Sequence, residues 1–245
     1  MLAIIGGSGL SQFPGLEETR RESVHTPYGE PSSRLTLGTI LGRRIVFLAR
    51  HGDAHTIAPH EINYRANLWA LREHEVEGIV AVVSVGGIRS DLTPGTIVLP
   101  DQILDYTWGR KSTYFEGDAP VTHIDFTEPY SQDLRLRLLA AAKTCGEPVR
   151  DRAVYATTQG PRLETAAEID RLERDGADMV GMTGMPEAAL ARELQLPYAA
   201  IAVVVNHAAG RGDSRASISL PRIEEVLGEA MIRVGRIIET LAGAA

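Results

Sequence analysis

Short apolar segments rich in β-branched residues recur along the chain, and each ends in glycine or in a cluster of polar residues. Segment 79–85 is apolar at six of its seven positions, which is typical of a central strand buried on both faces. Seven segments of this kind are predicted as strands: residues 2–5, 45–49, 79–85, 97–99, 154–157, 179–182 and 199–205.

Segments with apolar residues at helical spacing lie between these strands. One begins at Pro186 with the acid Glu187 in its first turn, as helices favour. The longest apolar stripe runs from Ile223 to Leu241 and predicts a C-terminal helix that packs on a sheet. This alternation predicts an α/β fold, a single-domain three-layer sandwich over residues 1–245 with helices flanking a mixed, mostly parallel central β-sheet.

Composition then excludes several classes of protein. The chain has 245 residues, one cysteine and a formal net charge of −7. One cysteine excludes an intramolecular disulfide and leaves too few thiolates for a zinc ribbon or an iron–sulfur cluster. The acidic balance argues against nucleic acid as a partner. No apolar run reaches the roughly 20 residues of a membrane span, and the first residues lack a basic signal segment. We therefore expect no membrane partner and a cytoplasmic location.

The residues that end the strands carry the candidate chemistry, because ligands of α/β folds collect at the carboxyl ends of strands. Two ends, with Glu164 and Asn206, offer groups suited to the edge of a heterocycle. Glycines let backbone amides approach an oxyanion, and arginine offers a planar fork of donors. Four residues at strand ends are candidate anion donors: Ser8, Arg50, His51 and Thr183.

Other interpretations of these signals stay open at this point. Each strand end taken alone is also compatible with an ordinary turn or helix start. The residues His51, Asp53, His55 and His60 could instead form a metal site, although their spacing is a weak signal. A dinucleotide fingerprint fails because Gln12 stands where its third glycine is required.

Five motifs resemble those of the trimeric purine nucleoside phosphorylases, and more closely the methylthioadenosine phosphorylase branch. They are IIGGSGL at 4–10, LARHG at 48–52, HTI at 55–57, NYRAN at 63–67 and GMTGMPE at 181–187. The resemblance implies that phosphate attacks C1′ of a nucleoside, so that a purine and a sugar 1-phosphate form. It also implies a homotrimer with nucleoside and phosphate as its small-molecule partners, and no metal or organic cofactor.

The resemblance carries roles onto matching residues. It implies that phosphate is bound by Ser8, Arg50, His51, Thr183 and the backbone at Ser84, and that Met182 lies against the ribose. The methylthioadenosine branch has aspartates at the positions of Asn206 and Ala208 and a threonine at that of Val83. Glu164 and Asn206 instead match enzymes that cleave inosine and guanosine, which makes His51, Glu164 and Asn206 the candidate catalytic residues.

Purine chemistry agrees with these departures. A 6-oxopurine presents O6 as an acceptor, which the amide of Asn206 can meet, and N1–H as a donor, which Glu164 can accept. The resemblance places four further residues at an apolar 5′-methylthio site, with the second from a neighbouring subunit: His55, His123, Leu220 and Ile223. Together these features resemble the S-methyl-5′-thioinosine phosphorylases. The alternatives are a methylthioadenosine or broad inosine/guanosine phosphorylase, a non-catalytic nucleoside-binding protein and a metal-dependent hydrolase.

Overall fold

A computed structural model describes residues 1–10, 12–13 and 15–244 of the protein. The described strands are β1 Leu2–Gly6, β2 Glu17–Glu22, β3 Leu35–Ile40, β4 Arg43–Ala49, β5 Gly78–Gly87, β6 Ile97–Leu99, β7 Gln102–Asp105, β8 Val149–Asp151, β9 Val154–Thr157, β10 Met179–Gly181 and β11 Tyr198–His207. The described α-helices are α1 Tyr64–Glu73, α2 Gln132–Thr144, α3 Ala166–Arg174, α4 Gly184–Glu193 and α5 Leu220–Gly243.

Strand β5 is the hub of the sheet, which runs in the order β2-β3-β4-β1-β5-β10-β9-β7. It pairs in parallel with β1 and with β11, and β11 continues the sheet to β6 and β8. Strand β10 returns antiparallel along the last residues of β5, with Val180 opposite Gly86. The ends of β1, β4, β5, β10 and β11 therefore meet at one edge of the sheet, where the candidate site lies.

Apolar residues on the two faces of the sheet pack against different helices. In β1, Ala3 and Ile5 pack with α1 and α4, whereas Leu2 and Ile4 pack with α2 and α5. This alternation follows from the period of a strand, whose successive side chains point to opposite faces. Since helices cover both faces, the predicted three-layer α/β architecture with a mixed, mostly parallel sheet is confirmed.

Candidate active site

A cavity of about 300 Å³ opens where the carboxyl ends of the central strands meet. It brings together most of the residues that the sequence predicts for a site. Eleven of those thirteen residues line it: Ser8, Arg50, His51, Ser84, Glu164, Met182, Thr183, Asn206, Ala208, Leu220 and Ile223. Val83 also lines the cavity, where its apolar side chain stands in place of a hydroxyl.

Close backbone approach shapes the end of the cavity that contains Arg50. A Cβ atom at Gly7 would lie 2.5 Å from the Val82 carbonyl oxygen and 3.1 Å from Nη1 of Arg50. Only glycine fits in this space, and it lets the β1 turn pack directly against the guanidinium. Ser8 follows in the same turn, and Thr183 is buried at the start of α4.

Arg50 is completely buried and forms a bidentate ion pair with Glu187, with Nε···Oε2 and Nη2···Oε1 distances of 2.7 and 2.8 Å. Its Nη1 donates to the Val82 carbonyl at 3.0 Å, and the Tyr198 hydroxyl donates to Glu187 at 2.8 Å. Burial alone would lower the pKa of Arg50, but the Glu187 carboxylate outweighs it and the net shift is upward. Three of the five guanidinium N–H groups are thus engaged, which leaves one on each Nη for a ligand.

Glu187 and Tyr198, which surround Arg50, are not revealed as site residues by the sequence. Glu187 does lie in the first turn of α4, as predicted, but it is fully buried and its principal contact is Arg50. The one available signal is an acid within the otherwise apolar run MPEAALA. Because a buried acid requires a partner, such an acid suggests a buried cation nearby.

The ring of His51 is oriented by the backbone carbonyl of Ile57. Its Nδ1 lies 2.8 Å from the Ile57 carbonyl oxygen, and since a carbonyl only accepts, Nδ1 carries the proton. Burial lowers the pKa of His51 to about 4, and the nearby Arg50 and His55 add to this shift. At neutral pH the imidazole is therefore uncharged and Nε2 is an acceptor. This differs from the anion donor that the sequence suggests.

His51 is expected to make the unliganded protein less stable as the pH falls from 6.5 towards 4. Its pKa is lower in the folded protein than in the unfolded chain, so the unfolded chain binds more protons in that interval. Urea unfolding at several pH values should show a weaker pH dependence in His51→Asn, whose side-chain N–H can still reach Ile57. Equal slopes in wild type and His51→Asn would contradict the expected role.

Glu164 and Asn206, the residues predicted to face a purine, both line the cavity. Oε1 of Glu164 accepts a hydrogen bond from the Thr158 hydroxyl at 2.6 Å, a contact that the sequence does not reveal. Glu168, and not Glu164, stabilises the start of helix α3, because it forms a capping box with Thr165. Asn206 follows a β-bulge in β11, and its Nδ2 donates to the His207 carbonyl at 2.6 Å. Bulges re-aim side chains, and here the bulge accompanies the placement of Asn206 on the cavity wall.

The remaining predicted residues lie at the rim or outside it. Leu220 is 62% exposed and Ile223 is half-buried, both in the first turn of α5. His55 is exposed beside the cavity, where its Nε2 lies 3.4 Å from the Ser8 hydroxyl and its ring 4.6 Å from that of His51. His123 is exposed on the connection between β7 and α2 and does not line the cavity of its own chain. Its contribution to a neighbouring subunit stays a prediction.

Within residues 1–10, 12–13 and 15–244, no group of three or more histidine, cysteine, aspartate or glutamate side chains is arranged to hold a metal ion. The histidines of segment 51–60 therefore do not converge with Asp53 in the way the alternative interpretation requires. None of the helices in the described part of the chain combines the length and apolar character needed to cross a membrane.

Known proteins share this architecture and sequence. Residues 1–242 match the Phosphorylase superfamily. The chain is 54% identical over 241 residues to a probable S-methyl-5′-thioinosine phosphorylase of Pseudomonas syringae, a match covering 98% of this chain and 96% of that protein. It is 48% identical over 215 residues to a 6-oxopurine nucleoside phosphorylase of Pyrococcus furiosus, covering 85% and 80% respectively. A methylthioadenosine phosphorylase of Schistosoma mansoni in complex with adenine superposes with a TM-score of 0.95 at 31% identity, over 99% of this chain and 91% of that one.

Proposed function

This chain belongs to the phosphorylase superfamily, and from that premise we propose that it converts S-methyl-5′-thioinosine and phosphate into hypoxanthine and 5-methylthioribose 1-phosphate. The resemblance seen in the motifs is confirmed, and the chain is a pentosyltransferase of the purine nucleoside phosphorylase type. The proposed substrate is the one that its relative in Pseudomonas syringae carries in its name.

One observation carries the proposal. A single cavity brings together groups that complement the edge of a 6-oxopurine, donors that suit an anion, and apolar residues at its rim. Glu164 offers a carboxylate for N1–H, and Asn206 offers an amide N–H for O6. Adenine would present an acceptor at N1 and a donor at C6, which is the reverse pattern. The 6-oxopurine relative from Pyrococcus furiosus supports the same choice of base.

We propose that phosphate lies among the groups at the ends of β1, β4, β5 and β10. Arg50 would donate its two remaining N–H groups, and Ser8 and Thr183 their hydroxyls. His51 would accept a hydrogen bond from a protonated phosphate oxygen through its free Nε2. Phosphate is a substrate in this scheme, and no metal or organic cofactor takes part.

In the proposed reaction a phosphate oxygen forms a bond to C1′ while the C1′–N9 bond breaks. The electron pair of that bond leaves with the purine, which takes up a proton to become hypoxanthine. The sugar develops positive charge in the transition state, so an anion fixed beneath it is worth more there than in the ground state. Glu164 and Asn206 would hold the departing base in the orientation that this requires.

The 5′-methylthio group would lie against Leu220 and Ile223 at the cavity rim. The large exposed fraction of Leu220 fits a site that a second subunit completes, and we propose a homotrimer in which His123 of a neighbour reaches this rim. An open rim would also admit inosine, so a broader 6-oxopurine nucleoside phosphorylase is the second candidate.

Product analysis on methylthioinosine, inosine and methylthioadenosine, with and without phosphate, tests the proposed function. A buried methylthio group gains roughly 1–2 kcal/mol over a hydroxyl, which corresponds to about 5- to 30-fold, so methylthioinosine should exceed inosine about tenfold in kcat/KM. Leu220→Asn should narrow that ratio while phosphate KM stays the same. Cleavage without phosphate would indicate a hydrolase, and a preference for methylthioadenosine would refute the assignment of the base. Activity should persist in the presence of strong chelators.

A further inference from the structure

Arg110 lies on the connection between β7 and α2, and its guanidinium meets carbonyl groups from two separate segments of the site. Nη1 donates to the carbonyl oxygens of Met182 and Met185 at 2.8 and 2.6 Å. Nη2 donates to those of Thr158 and Gln159 at 3.2 and 2.8 Å. We infer that Arg110 is a positioning residue that fixes the spacing between the purine-binding and sugar-binding sides of the cavity.

All the donors of Arg110 are engaged by the protein itself. Nε donates to the side-chain oxygen of Gln159 at 3.2 Å, and Nη1 also lies 3.3 Å from the Tyr64 hydroxyl oxygen. That hydroxyl donates in turn to the carbonyl of Pro59, another cavity residue. Since a guanidinium has five N–H groups and six acceptors surround this one, no donor is left for a ligand. Arg110 therefore acts through the residues that it holds.

The two segments that Arg110 joins carry the groups proposed to face the nucleoside. The Thr158 hydroxyl holds the Glu164 carboxylate at 2.6 Å, and Met182 lines the cavity immediately before Thr183. Four carbonyl dipoles converge on one cation, and among the described residues no carboxylate lies within hydrogen-bonding distance of it. Strands β9 and β10 join the two segments as far as Gly181, whose carbonyl accepts from the Thr158 N–H at 2.8 Å. Beyond that point the converging oxygens would repel one another and lose their partners without the cation, so Gln159 and the Met182–Met185 turn would shift relative to each other.

The planar fork of arginine is what spans the two segments. Lysine keeps the charge but has three N–H groups in a compact head, so it cannot satisfy both pairs of carbonyls at once. This inference rests on the proposed function of the cavity. We expect Arg110→Lys to reduce kcat/KM for methylthioinosine on the order of 100-fold, the effect of a displacement of about 1 Å in a positioned site. We expect kcat to fall and the KM for the nucleoside to rise. The KM for phosphate should change least, because Glu187 holds Arg50 independently of Arg110.

Arg135 on α2 offers a matched control. It is 1% exposed, donates to the carbonyls of Leu99 and Pro100 at 3.1 and 2.8 Å and, unlike Arg110, also pairs with a carboxylate, that of Asp151. It does not line the cavity. Arg135→Lys should lower Tm and leave kcat/KM unchanged, whereas Arg110→Lys should lose kcat/KM even at temperatures where it is fully folded. If Arg110→Lys does not fold, Arg110→Gln takes its place under the same criterion.

The possible failures are distinguishable. An active wild type whose folded Arg110→Lys variant keeps wild-type kcat/KM and only a lowered Tm would overturn the inference alone. A wild type that cleaves none of the nucleosides in the presence of phosphate would overturn the proposed function and the inference together.

Discussion

Replacement of Glu187 by glutamine is expected to cause the largest loss of stability of any single change at the site. The carboxylate is fully buried and neutralises Arg50, which is itself completely buried. Removing one partner of a buried ion pair leaves an uncompensated charge, at a cost of about 3–5 kcal/mol. The freed guanidinium also loses its orientation, so phosphate KM should rise roughly tenfold or more. Urea unfolding and steady-state kinetics at varied phosphate concentration measure the two effects.

Two further variants separate stability from phosphate binding. Tyr198→Phe removes only the hydroxyl that donates to Glu187 at 2.8 Å, so it should produce a smaller change in the same direction in both measurements. Glu147 is a second mostly buried acid, paired with Arg233 at 2.8 Å and with Arg236, and it does not line the cavity. Glu147→Gln should lower stability without changing phosphate KM. A Glu187→Gln protein with wild-type phosphate KM would show that Arg50 does not bind phosphate.

The elements that the sequence predicts are those whose own residues show a clear apolar pattern, because that pattern reports burial. All seven predicted strands are present, and β5 and β11 are long because both of their faces are buried. Helix α5 is identified by its single apolar stripe. Strand β2 has the sequence EETRRE and escapes prediction because it is an exposed edge strand with no apolar face. Strands β3, β7 and β8 and helix α2 are also absent from the sequence prediction.

The residues of the site also fall into those that the sequence predicts and those that it does not. Residues at the end of a buried strand, such as Arg50 and Asn206, are predictable because topology alone carries them to one edge of the sheet. Partners that reach the site through space are not predictable, since Glu187 lies 137 residues from Arg50 along the chain. The same holds for Arg110, which lies in a segment without helix or strand and whose partners are backbone carbonyls that any residue could provide.

Glu164 is expected to determine which purine the enzyme accepts. One of its oxygens is occupied by the Thr158 hydroxyl at 2.6 Å, which leaves the other to accept N1–H of a 6-oxopurine. Adenine has an acceptor at N1, which the carboxylate repels. A hydrogen bond to a charged group contributes about 1.5–3 kcal/mol, so Glu164→Ala should reduce kcat/KM for methylthioinosine roughly 10- to 100-fold. Methylthioadenosine should lose nothing, and the ratio of the two efficiencies should fall by the same factor.

The nearby Glu168 makes the comparison specific. It belongs to the capping box of α3 and pairs with Arg162 at 2.7 Å, so it shares the helix start with Glu164 but does not line the cavity described above. Glu168→Ala should lower the free energy of unfolding by about 1 kcal/mol, as loss of a helix cap does, with no change in the ratio of efficiencies. An equal loss on both nucleosides in Glu164→Ala would mean that Glu164 supports the fold of the cavity and does not recognise N1–H.

Asn206→Asp provides the complementary test, because it sets a carboxylate against O6 and should also reduce the use of methylthioinosine.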